Sequence, residues 1–285
     1  MTTANGVDRD TSEAAPVAAW RRCAANVVTA VTVLARPARI HPREPWLRLR
    51  QLAIAAAVIA VVLLLGMFFV DAPVIHAAKR LPHWLVSFFD AVTDYGKSGW
   101  FLWPLGVMFL LLAALPPVLP RFAQCVLAAI MVRVGFLFLA IGVPGLFVTT
   151  VKRMIGRARP LVTGNADPFV FSPFIWRADY ASLPSGHSTT AFAVLVAFGT
   201  LWPRARTVLI IYALMIAASR IIVTAHFPTD VLAGALVGTV GALMVRRWFA
   251  LRRLGFSVGP DGVPHLYPGP SRKRIKAVAR DLLAP

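Results

Sequence analysis

The stretch QLAIAAAVIAVVLLLGMFFV, from Gln51 to Val70, runs without a charge between Arg50 and Asp71. A helix rises about 1.5 Å per residue, so roughly 20 such residues cross a hydrocarbon core about 30 Å thick. The stretch therefore predicts a membrane-spanning helix, and the rest of the chain is consistent with it. Its 285 residues are 58% hydrophobic and 15% charged, and the mean hydropathy is +0.69. Soluble domains carry about 25% charged residues, so a soluble fold is excluded and an integral membrane protein expected.

Outward from this helix, further spans are expected at 98–118, 128–151, 186–202, 207–225 and 228–248. The fold class is then all-α, a six-transmembrane-helix bundle with interfacial amphipathic helices, and both termini share one side. Twenty Lys and Arg fall on that side and nine on the other. The positive-inside bias makes the twenty cytoplasmic. The remaining base, Arg133, is expected to snorkel inward from a third span that starts late. The expected location is the plasma membrane, which is the inner membrane in a Gram-negative cell. The N-terminus carries Asp8, Asp10 and Glu13 and lacks a basic start followed by an apolar core, so the first span is expected to direct insertion.

Three regions follow: a cytoplasmic tail over 1–50, the membrane domain over 51–250, and a basic cytoplasmic tail over 251–285. Leu81, Trp84, Leu85, Phe88 and Val92 recur at helical spacing, with His83, Ser87, Asp90 and Asp94 between them, which predicts a helix lying in the outer interface. Ala18–Leu34 and Arg272–Leu283 mix bases with periodic apolar residues and suit an anionic cytoplasmic leaflet. Residues 1–16 and Gly255–Pro270 read as flexible tail and linker. The formal charge of +18 follows topology instead of gathering in one basic module, so no nucleic-acid partner is expected. Cys23 and Cys125 suggest neither a disulfide nor a zinc site.

Ionisable groups at the ends of membrane helices are costly and often functional. Lys152 and Arg159, seven residues apart, are read as projecting from one helix face, with Pro160 closing the segment. Pro184, Ser185, Gly186 and His187 enter the fourth span, where free backbone N–H groups suit a phosphate. Ser219, Arg220, His226 and Asp230 follow, and the Asp230 carboxylate is placed to accept Nδ1–H of His226 and leave Nε2 free. Singly, these are flanking charges, a helix cap and a structural His–Asp pair. Together they all fall at outer helix ends. Three cations, two histidines and one carboxylate favour a phosphate dianion, with no metal ligand set and no cofactor implied.

At these residues the chain resembles the type 2 phosphatidic acid phosphatase (PAP2) superfamily. Its pattern K-x6-R-P, P-S-G-H and S-R-x5-H-x3-D is matched from Lys152 to Asp230. The resemblance implies an integral membrane lipid phosphate phosphatase, independent of metal. His226 would attack phosphorus to form a phosphohistidine, Asp230 would orient it, and His187 would protonate the leaving group. Lys152, Arg159, Ser185, Gly186, Ser219 and Arg220 would bind the phosphate. The implied partners are membrane lipids and a lipid phosphate substrate; the oligomeric state is left open. Phosphatidic acid, phosphatidylglycerophosphate, polyprenyl diphosphate and lipid A phosphate all fit an outer, interfacial site. A lipid phosphotransferase with the same phosphohistidine is the alternative, followed by a vanadate-dependent haloperoxidase-like oxidoreductase and an inactive transporter or scaffold.

Overall fold

The computed structural model describes residues 14–40, 48–115, 120–260 and 262–283. Most of the tail expected over 1–16 lies outside these residues. Helix α1 covers Ala14–Ala35 and α2 covers Leu49–Gly66, which runs on through a π-helical turn, Met67–Asp71, into α3, Ala72–Ala78. After α4 (His83–Thr93) a 3₁₀ turn leads to α5 (Gly99–Ala114) and the long α6 (Arg121–Ile155). Helices α7 (Gly186–Leu201), α8 (Arg206–Ile222) and α9 (Pro228–Leu251) complete the bundle. The hairpin of β1 (Phe256–Val258) and β2 (Pro264–Leu266) precedes α10 (Arg272–Leu283).

The fold is mostly helical, as the sequence predicts. Among the described residues, five helical stretches are long and apolar enough to cross a membrane: Leu49–Ala78, His83–Ala114, Arg121–Ile155, Pro203–Ile222 and Pro228–Leu251. The segment expected as a span at 186–202 forms α7, 16 residues long and so about 24 Å. It packs against α6, α8 and α9, with Thr189, Ala191, Ala193, Val194 and Ala197 buried. A helix wrapped by its neighbours does not have to match the lipid thickness itself.

Two glycines set how closely α7 and α9 approach. A Cβ on Gly234 would stand 2.4 Å from Ser185 O, and one on Gly238 would stand 2.2 Å from Thr189 O. Only a missing side chain allows this backbone contact, which brings the first turns of α7 and α9 side by side. At the opposite end, Phe136 meets Phe249 and Phe256 edge to face, with centroids 5.5 and 4.9 Å apart.

Phe256 also corrects the expectation of a flexible linker over Gly255–Pro270. It is 1% exposed, and Phe256 pairs with Leu266 in the antiparallel register. Apolar anchors at alternate strand positions outweigh the local Gly and Pro content. Arg133 lies inside α6, which begins earlier than the span expected from 128. Its guanidinium turns back along the helix and donates to Ala129 O and Tyr267 O, at 2.8 and 2.9 Å. Helix α1 is tied to the bundle by Asn26 Nδ2 donating to Ala113 O at 2.7 Å.

Candidate active site

The site begins where α6 stops. Gly156 takes a left-handed conformation, φ 64°, the usual way to end a helix, and a Cβ there would lie 1.9 Å from Ser172 O. Beyond it the chain runs extended, gripped from both sides. Ser172 N donates to Gly156 O, Ala158 N to Val170 O, Arg159 N to Asp179 O and Ser182 N to Arg157 O, at 2.7–3.1 Å. Lys152 and Arg159 therefore do not share a helix face, as their spacing had suggested. The turn at Gly156 brings the two cations into electrostatic reach of each other instead.

Asp230, in the first turn of α9, is a hub with no exposed surface. Its Oδ1 accepts from Arg157 Nη1 at 2.6 Å. Its Oδ2 accepts from Ser182 Oγ at 2.6 Å and from Phe227 N at 2.9 Å. The direct His226 Nδ1 to Asp230 Oδ2 separation is 3.7 Å, beyond a hydrogen bond. The carboxylate still faces the ring, and Ser182 Oγ, 3.4 Å from Nδ1, is the nearer oxygen. Four donors or near-donors crowd this carboxylate because a buried charge must be satisfied on every side.

Arg157 and Asp71 carry no role in the sequence reading. The first counted only as an outer base, the second as the flank of the first span. Both are wholly buried. Arg157 Nη2 donates to Asp71 Oδ2 at 2.7 Å, Nη1 also reaches Thr229 Oγ1 at 2.8 Å, and Nε donates to Pro168 O at 3.0 Å. Its plane lies over the Phe227 ring, 4.5 Å from the centroid. Asp71 in turn accepts from Thr229 N at 3.0 Å and Thr229 Oγ1 at 2.5 Å. The signal was present: apolar helix continues past Asp71, and alternation along an extended strand places Arg157 and Arg159 on one side.

His226 is 3% exposed, with Arg159, Arg220 and His187 in electrostatic reach. Burial pushes its imidazole below the ordinary histidine value; the Asp230 carboxylate opposes this, while Arg220 and Arg159 add to it. His187 lies within electrostatic reach of Arg220, His226, Lys97 and Arg159. Arg220 donates from Nη1 to Thr93 Oγ1 at 2.6 Å. Among the described residues, the buried Nε atoms of Arg159 and Arg220 have no hydrogen-bond partner. Three more such atoms, on Arg36, Arg246 and Arg252, belong to the opposite end. Ser185 N donates to Asp230 O at 2.9 Å, leaving Gly186 and His187 to present first-turn N–H groups that have no partner further back in the helix. The Ser219 hydroxyl donates to Ile216 O at 2.7 Å, so its proton is engaged within α8.

Buried arginine donors beside a buried histidine at one end of a membrane helix bundle suit an anion, and the chain belongs to the PAP2 superfamily of membrane phosphatases, whose family model matches residues 133–254. The chain is 34% identical over 202 residues to a lipid A 1-phosphatase of Rhizobium johnstonii, covering 70% of this chain and 82% of that protein. A lipid A 1-phosphatase of Rhizobium etli is 34% identical over 201 residues, covering 70% and 86%. Among solved structures, the transmembrane PAP2-type phosphatidylglycerolphosphate phosphatase of Bacillus subtilis superposes with a TM-score of 0.45 at 20% identity, covering 79% of this chain and 94% of the other.

Proposed function

We propose that the chain hydrolyses a phosphate monoester on a lipid A-type glycolipid through a phosphohistidine on His226, at the outer face of the membrane. The observation that carries the reading is the pair of unpartnered, buried Nε donors on Arg159 and Arg220 beside a deeply buried histidine. Such donors are costly unless an anion completes them. The substrate class follows from the two rhizobial relatives.

Nε2 of His226 attacks phosphorus and the bond to the lipid oxygen breaks, with His187 giving that oxygen its proton. Water then attacks the phosphohistidine and gives a proton back to His187, restoring Nε2 and releasing inorganic phosphate. Lys152, Arg159, Arg220, Ser185 and the N–H groups at Gly186 hold the phosphoryl oxygens and offset their growing charge, while Ser219, its proton held by Ile216 O, joins them only if its hydroxyl turns from the helix when phosphate binds. Six spans with both termini cytoplasmic, α7 being the short one, put this end of the bundle outside; the basic-residue bias supports that orientation.

Phosphate release by the purified protein, with a chelator present and no acceptor added, tests the proposal across lipid A, phosphatidic acid, phosphatidylglycerophosphate and polyprenyl diphosphate. Preferred turnover of lipid A that vanishes in His226→Ala is expected. Equal turnover by that variant, or a requirement for metal, overturns it.

A further inference from the structure

We infer that Ser182 is a positioning residue that sets the tautomer of His226: its hydroxyl donates to Asp230 Oδ2 and accepts Nδ1–H, leaving Nε2 bare. The functional consequence rests on His226 being the nucleophile, but the geometry stands without it. A serine hydroxyl has one proton and two lone pairs, whereas a carboxylate only accepts. At 2.6 Å from Asp230 Oδ2, the hydroxyl proton has to lie between the two oxygens, since otherwise lone pairs would face each other at that separation. Ser182 Oγ therefore turns a lone pair toward His226 Nδ1, 3.4 Å away. Nδ1 must supply the proton.

Nothing in the surroundings lets the arrangement relax. Ser182 is wholly buried, and its backbone N–H is fixed on Arg157 O at 3.1 Å. Asp230 cannot swing toward His226, because Arg157 holds Oδ1 at 2.6 Å and the Phe227 N–H holds Oδ2 at 2.9 Å. The distance from Nδ1 to the carboxylate stays at 3.7 Å, so the hydroxyl is the group that bridges it. Ser182 stands two residues before Pro184, outside the three-part residue pattern. The backbone bond to Arg157 O brings it within reach of Nδ1.

The test is the ¹⁵N spectrum of the full chain in detergent micelles, labelled at histidine, with His226 assigned by its loss in His226→Asn. In the wild type, Nδ1 should show the shift of a protonated ring nitrogen and Nε2 that of a bare one. Ser182→Ala should show mixed tautomers, with kcat falling by about 10-fold or more and KM little changed. Ser182→Thr, which restores the hydroxyl, should recover most of the loss. A wild-type His226 protonated at Nε2 overturns the inference, as does Ser182→Ala with an unchanged tautomer. The wild-type spectrum decides even if Ser182→Ala does not fold. It needs no substrate, so failure of the lipid A assignment leaves it intact.

Discussion

Replacing Arg157 by glutamine removes a buried cation from between two buried carboxylates, Asp71 Oδ2 at 2.7 Å and Asp230 Oδ1 at 2.6 Å. An amide offers two N–H bonds where the guanidinium makes four donations, to Asp71, Asp230, Thr229 and Pro168. Removing one partner of a buried ion pair costs about 3–5 kcal/mol, and here two charges are left behind. Asp71→Asn keeps an acceptor for Thr229 N but turns an NH₂ toward Arg157 and the Thr229 hydroxyl, so a similar loss is expected. With both changes present, Asp230 is the single carboxylate left without its cation. The double variant should then fall short of the summed losses by about 2 kcal/mol, against about 0.5 kcal/mol for independent sites. Unfolding free energies of the four proteins in mixed micelles measure this directly. Additivity within that limit, or a stable Arg157→Gln protein, would refute the account of the buried network.

Arg220→Gln removes an unpartnered donor, and turnover should drop about 10²–10³-fold, by analogy with loss of an oxyanion donor; near-normal turnover contradicts its role. Burial lowers the pKa of His226 from its ordinary value of about 6.5, so the acid limb of kcat/KM should fall beneath that pH. Asp230→Asn takes away the carboxylate that pulls the imidazole up, which should move the limb lower still; a shift to higher pH counts against this. Gly238→Leu drives a side chain into Thr189 O, and thermal unfolding in detergent should fall clearly below wild type, as overpacking costs about 1–3 kcal/mol or more. An unchanged transition would mean α7 and α9 are not so close.

The spans around Gln51–Val70 and over α6, α8 and α9 were legible because apolar length is a one-dimensional property. α7 was legible to within one residue of its observed end, Leu201; how fully its neighbours wrap it was not, since that depends on packing between helices. His226, Asp230, His187, Arg159 and Arg220 were legible as a set through their spacing. Their connections were not. Asp71 and Arg157 lie 86 positions apart, and no spacing rule links the first span to the segment after Gly156. Ser182 was hidden for a related reason: its partners are chosen by a backbone bond to Arg157. The hairpin at Phe256 was masked by Gly and Pro, which mark turns but say nothing of the aromatic cluster that holds the strands.

The most direct test of the central claim is to quench the wild-type protein during turnover of lipid A carrying ³²P and map any label retained on the chain. Acid-labile, base-stable label on His226, absent in His226→Asn, is the predicted result. Turnover without labelled protein at any quench time, or label that persists in His226→Asn, contradicts it.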